Sequence, residues 1–63
     1  MTKEKILEFG LSVFNNENEK FERWLKGVNI SLGGVTPESL LETTKGLGLV
    51  EKCLNRIEYG SFT

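Results

Sequence analysis

Apolar residues recur along this chain at helical rather than strand spacing. Ile6, Leu7, Leu11 and Phe14 share one side of a helix, and Thr2 stands before them as an N-cap whose hydroxyl can accept from the first orphan amides. Gly10 interrupts the pattern at a cost of about 1 kcal/mol relative to alanine, which marks either an early helix end or the close approach of another backbone. Asn15-Asn16 reads as a turn. Glu19 lies three residues after Asn16, a capping arrangement that opens a second helix near Glu17. Phe21, Trp24 and Leu25 form the apolar face of that helix. Its stop is Lys26-Gly27, a cation in the last turn followed by a glycine able to take positive φ.

From Val28 to Val35 the chain reads VNISLGGV, an ordered loop in which Gly33-Gly34 forbids a stable helix and the Asn29 side chain can serve nearby backbone groups; Asn29, Leu32, Gly33, Gly34 and the following Pro37 are its candidate structural residues. Thr36-Pro37-Glu38 supplies an N-cap, a proline at the first helical position and an acid in the first turn, predicting a short third helix through Leu40-Leu41. Thr43 or Thr44 caps a fourth helix striped by Leu47, Val50, Leu54 and Ile57, and Gly60 closes it before the tail Ser61-Phe62-Thr63. The expected fold is therefore all-α: a compact small bundle of about four short helices with an ordered Gly-Gly loop between the second and third. Phe21, Trp24, Leu25, Leu40, Leu41, Val50, Leu54 and Ile57 are its candidate core or dimer-core residues.

Size limits that core. A chain of 63 residues is one domain, spanning 1–63, and a domain this small buries only about 60% of its unfolded surface. Small domains make up the deficit with disulfides, a metal or a partner, yet Cys53 is the single cysteine and histidine is absent. A partner chain is the remaining route, and self-association, most simply as a homodimer, is expected. No signal peptide and no apolar run near the roughly 20 residues of a membrane span is visible, so a cytoplasmic location is expected. Eight Lys+Arg against nine Asp+Glu give a net charge of −1, without the basic surplus that phosphate-backbone binding requires. Nucleic acid is not the expected partner of this domain.

Catalytic chemistry finds little support. With no histidine or aspartate, Cys53 lacks the usual activating partner, and its place beside the stripe of the fourth helix suits a buried structural thiol. The glutamates lack the loop spacing of a calcium site, and Gly33-Gly34 has neither the GxGxxG spacing nor the GK[ST] ending of phosphate loops. No enzyme activity, cofactor or metal is expected. The run Arg56-Ile57-Glu58-Tyr59-Gly60-Ser61-Phe62 is the hardest to assign to a core. Tyr59 and Phe62 serve either as interface anchors or as a terminal staple folded onto the bundle.

Three blocks carry a family likeness: Lys20-Phe21-x-x-Trp24-Leu25; Asn29-x-x-Leu32-Gly33-Gly34-x-x-Pro37-x-x-Leu40-Leu41-x-Thr43; and Gly46, Val50, Leu54-x-Arg56-Ile57-Glu58-Tyr59-Gly60. Together they resemble the toxin-binding domain of MbcA/ParS/Xre antitoxins. The resemblance implies a type II antitoxin module that binds a RES-domain, NAD-consuming toxin and covers its active-site cleft with the C-terminal end. Here that end is Arg56, Glu58, Tyr59, Gly60, Ser61, Phe62 and Thr63. Family members usually carry an N-terminal helix-turn-helix domain, for which 63 residues leave no room. Val28 also stands where the family often has proline, and Phe21 where it often has a small residue. The alternatives are a small DNA-binding transcriptional regulator and a homomeric adaptor domain.

Overall fold

Local capping groups set where each element begins. In the computed structural model, which describes residues 2–60, the Thr2 hydroxyl accepts from the Lys5 amide at 3.2 Å and helix α1 runs Lys3–Val13. Asn15 and Asn16 then take left-handed conformations at φ 57° and 61°, which asparagine tolerates better than most residues, and the Asn16 amide donates to the Leu11 carbonyl at 2.8 Å. That use of Asn16 overrides the expected capping arrangement with Glu19. Helix α2, Asn18–Lys26, begins after Glu17 with no side-chain cap. Its end also differs in detail from expectation: Gly27 is extended, at φ −87° and ψ 144°, and donates to the Trp24 carbonyl.

Extended backbone at Gly27 leads into a closed loop. The Asn29 amide donates to the Val35 carbonyl at 2.9 Å within an isolated antiparallel bridge between those two residues, and the Gly34 amide donates to the Asn29 carbonyl at 3.0 Å. Within it, the Asn29 side-chain oxygen accepts from the Ser31 amide at 2.9 Å and starts a single 3-10 turn, Ile30–Leu32. Gly33 and Gly34 carry φ of 90° and 80°, where a side chain would be strained.

The third expected helix is a 3-10 helix, Glu38–Glu42, rather than an α-helix. The Thr36 hydroxyl accepts from Ser39 and Pro37 has φ −55°, but Thr43 is already extended at φ −128°. So short a segment closes i→i+3 bonds instead, with Ser39 donating to the Thr36 carbonyl and Leu40 to the Pro37 carbonyl. Thr43 is extended because it caps helix α3, Thr44–Tyr59: its hydroxyl accepts from the Gly46 amide at 2.9 Å. Gly60 ends α3 in the left-handed region at φ 56°, donating to the Arg56 carbonyl. The expected four helices are thus three α-helices and two 3-10 segments, and the described residues contain no strand. The radius of gyration, 10.7 Å, matches the value of about 10.6 Å for a compact chain of this length.

Ile6, Phe21, Leu25, Leu41, Val50 and Leu54 are buried and form one core, and Trp24, Leu40 and Leu47 pack against it half-buried. Gly10 is explained by that core. A Cβ there would run into the Phe21 ring and lie 3.3 Å from a Leu54 methyl, so the close approach is by an aromatic side chain rather than a backbone. Phe14, Phe21 and Trp24 form an aromatic cluster with ring centroids 5.5–6.3 Å apart. Ile57, a candidate for the core or a dimer core, is 43% exposed in the single chain.

Candidate functional site at the end of α3

Helix α1, 11 residues and about 16 Å, is shorter than α3, 16 residues and about 24 Å. Lys3 of α1 pairs with Glu42 just before α3, at 3.0 Å, and Gly10 lies beside Leu54. The last turn of α3 lies beyond that stretch, and its side chains face solvent. Tyr59 is 76% exposed, Arg56 and Glu58 are exposed, and only Gly60 is half-buried. Ser61, Phe62 and Thr63, the remaining residues of the predicted contact, lie outside the described residues.

Beside this end, the 3-10 turn Ile30–Leu32 packs across α3. The two enclose a small cavity of about 160 Å³ lined by Ser31, Leu32, Leu49, Lys52, Cys53 and Arg56. Asn29 holds the loop there from both ends of its amide. Its oxygen caps the 3-10 turn, and its nitrogen points at the Cys53 sulfur at 3.9 Å, where Cys53 is half-buried. Pro37 is fully buried, and Gly33 and Gly34 are exposed. Asn29 and Leu32, nominated as loop residues, thus meet α3 next to Arg56. Leu49 and Lys52 line the same cavity and were not nominated, nor was Ile30, which opens the 3-10 turn one residue before Ser31. Leu49 is off the core stripe and 40% exposed, and Ile30 is an apolar residue in a loop at 90% exposure. A broader depression of about 580 Å³ follows α2, lined by Asn18, Glu19, Glu22, Arg23, Lys26 and Gly27, all from one helix and its cap. It has a floor without facing walls and holds no constellation of reactive groups.

No group of three potential metal ligands occurs among the described residues, and no helix there is long and apolar enough to cross a membrane. What the described residues of the site present is shape, exposed aromatic and aliphatic groups, and charge.

Comparison with known proteins decides the family. Residues 10–60 match the model of the antitoxin Xre/MbcA/ParS C-terminal toxin-binding domain. The chain belongs to this family. The Xre/MbcA/ParS match begins at the glycine beneath the Phe21 ring and ends at the glycine that caps α3. A curated relative, Antitoxin Xre of Photorhabdus laumondii subsp. laumondii, is 36% identical over 56 residues, covering 89% of this chain and 38% of the relative. The chain thus spans well under half the length of that antitoxin. No solved structure matches the chain.

Proposed function

We propose that this chain is the toxin-binding module of a type II antitoxin, and that its partner is a RES-domain, NAD-consuming toxin. The observation that carries the reading is the family match, whose model is a toxin-binding domain and whose matched stretch runs through the exposed last turn of α3. Inhibition is steric: the end of α3 and the residues after it close the toxin's active-site cleft, and this chain contributes no reacting group. The exposed Ile57 and Tyr59 suit that role, because burying one large apolar side chain against a partner contributes about 1.5–3 kcal/mol, and tyrosine is a frequent interface anchor. Arg56 and Glu58 supply charge-assisted hydrogen bonds to polar groups that otherwise meet the nucleotide. The module works in the cytoplasm with the toxin and self-associates, as its small core favours.

Co-expression of the chain with a RES-domain toxin, followed by pull-down and measurement of cellular NAD, tests this. Complex formation with NAD preserved is expected. Removal of Tyr59–Thr63 should abolish protection while leaving far-UV helicity largely intact; full protection by the shortened chain would refute the tail mechanism. Light scattering that finds only monomer at high concentration would remove the self-association.

A further inference from the structure

Helix α3 carries its core residues on one side and an unusual set of residues on the other. At 3.6 residues per turn, Lys45, Leu49, Lys52, Arg56 and Tyr59 fall within an arc of about 80°, roughly opposite Val50 and Leu54. All five are exposed, whereas Val50 and Leu54 are fully buried. The ion pairs among the described residues are Lys3–Glu42, Lys20–Glu17 and Lys26–Glu22, so none involves the three cations of this face. The acids of α3, Glu51 and Glu58, lie off the arc, about 80–100° round the helix from Tyr59. Gathering three cations here leaves five others against nine carboxylates elsewhere, so a chain of net charge −1 presents one basic face on an acidic body. Ile30, 90% exposed, stands at the edge of this face, on the turn whose Ser31 and Leu32 wall the small cavity with Leu49, Lys52 and Arg56.

We infer that this outward face of α3, with Ile30 beside it, is a docking surface for an acidic patch on the toxin, so that the contact extends from the C-terminal end back along the whole helix. The inference rests on the toxin-binding function proposed above. Charge complementarity selects the partner's sign. Exposed cations of this kind act mainly by steering encounter, and Leu49, Ile30 and Tyr59 supply apolar area that slows release. A phosphate backbone is a poorer fit, because it needs a long run of positive charge and here meets Glu51 and Glu58 at the flank.

The test is the association rate of the full chain with the RES-domain toxin captured in the co-expression experiment, measured between about 0.01 and 0.1 M salt, where the Debye length falls from about 30 to about 10 Å. The unmodified chain should lose about tenfold in on-rate across that range. Lys45→Glu with Lys52→Glu should lower the low-salt on-rate about tenfold and flatten the salt dependence. The charge-matched control, Lys5→Glu with Lys20→Glu, should keep most of both, and far-UV spectra verify that both variants fold. Leu49→Ser with Ile30→Ser should speed dissociation by about fivefold or more. Equal on-rates for the two charge variants would overturn the docking face while leaving toxin binding intact. No binding by the unmodified chain would overturn both. Salt-sensitive binding of a labelled DNA duplex, lost in Lys45→Glu with Lys52→Glu, would reassign the face to phosphate and overturn it as well.

Discussion

Gly46 and Gly48 stand two residues apart in the first turns of α3, and alanine should move stability in opposite directions at the two positions. A Cβ on Gly46 would collide with the Leu40 carbonyl oxygen and approach its carbon to 2.8 Å and the Thr43 hydroxyl to 2.9 Å. Leu40 belongs to the 3-10 helix Glu38–Glu42, so relief requires that helix to move as backbone. The same Thr43 hydroxyl caps α3 by accepting from the Gly46 amide. Overpacking of this kind costs about 1–3 kcal/mol and a lost N-cap about 1 kcal/mol, against a helix-propensity gain of up to about 1 kcal/mol. The expected net loss is about 1–3 kcal/mol. A Cβ on Gly48 meets nothing within 4 Å, so there the propensity gain stands alone at about 0.5–1 kcal/mol. In a domain this small, 1 kcal/mol shifts Tm by about 4–8 °C. Thermal and urea unfolding followed by far-UV circular dichroism should place Gly46→Ala below the parent chain and Gly48→Ala above it. A Gly46→Ala variant as stable as Gly48→Ala would refute the close packing of α3 against the preceding 3-10 helix.

Other substitutions probe the remaining contacts. Gly10→Ala pushes against the Phe21 ring inside the core and should cost about 1–3 kcal/mol in urea unfolding, despite its better helix propensity. Leu54→Ala removes a fully buried side chain and should cost about 2–5 kcal/mol, enough to unfold much of the population near 37 °C. Tyr59→Ala, at a largely exposed position, should leave the unfolding midpoint within about 0.5 kcal/mol of the parent while weakening capture of the toxin in pull-down.

The ends of the helices were most legible where one residue had one available role. Thr2 and Gly60 cap as their types and positions predict, and of the two candidates Thr43 and Thr44 it is Thr43 that caps α3. Where a residue could serve two neighbours, the sequence did not decide between them. Asn16 can cap α2 or turn the chain left-handed after α1, and closing α1 through the Leu11 carbonyl prevailed. Thr36-Pro37-Glu38 correctly announced a helical start, but the length of the helix it opens depends on Thr43 being claimed by α3. That leaves room only for 3-10 bonds. The core stripe of α3 was visible as a periodicity, yet periodicity says which side faces inward and not how far the covering helix reaches. Val50 and Leu54 are enclosed and Ile57 is not. The basic outward face was hidden for a related reason: the net charge of −1 averages over a surface on which cations and acids are segregated.

The chain holds one tryptophan and one tyrosine, and the fold separates their surroundings. Trp24 is half-buried against Phe14 and Phe21 at the seam of α1 and α2, whereas Tyr59 stands in solvent at the end of α3. Indole emission excited beyond the phenol band therefore reports on the core alone in the isolated chain. Emission that holds steady while a partner lacking tryptophan binds at the end of α3 separates capture from unfolding.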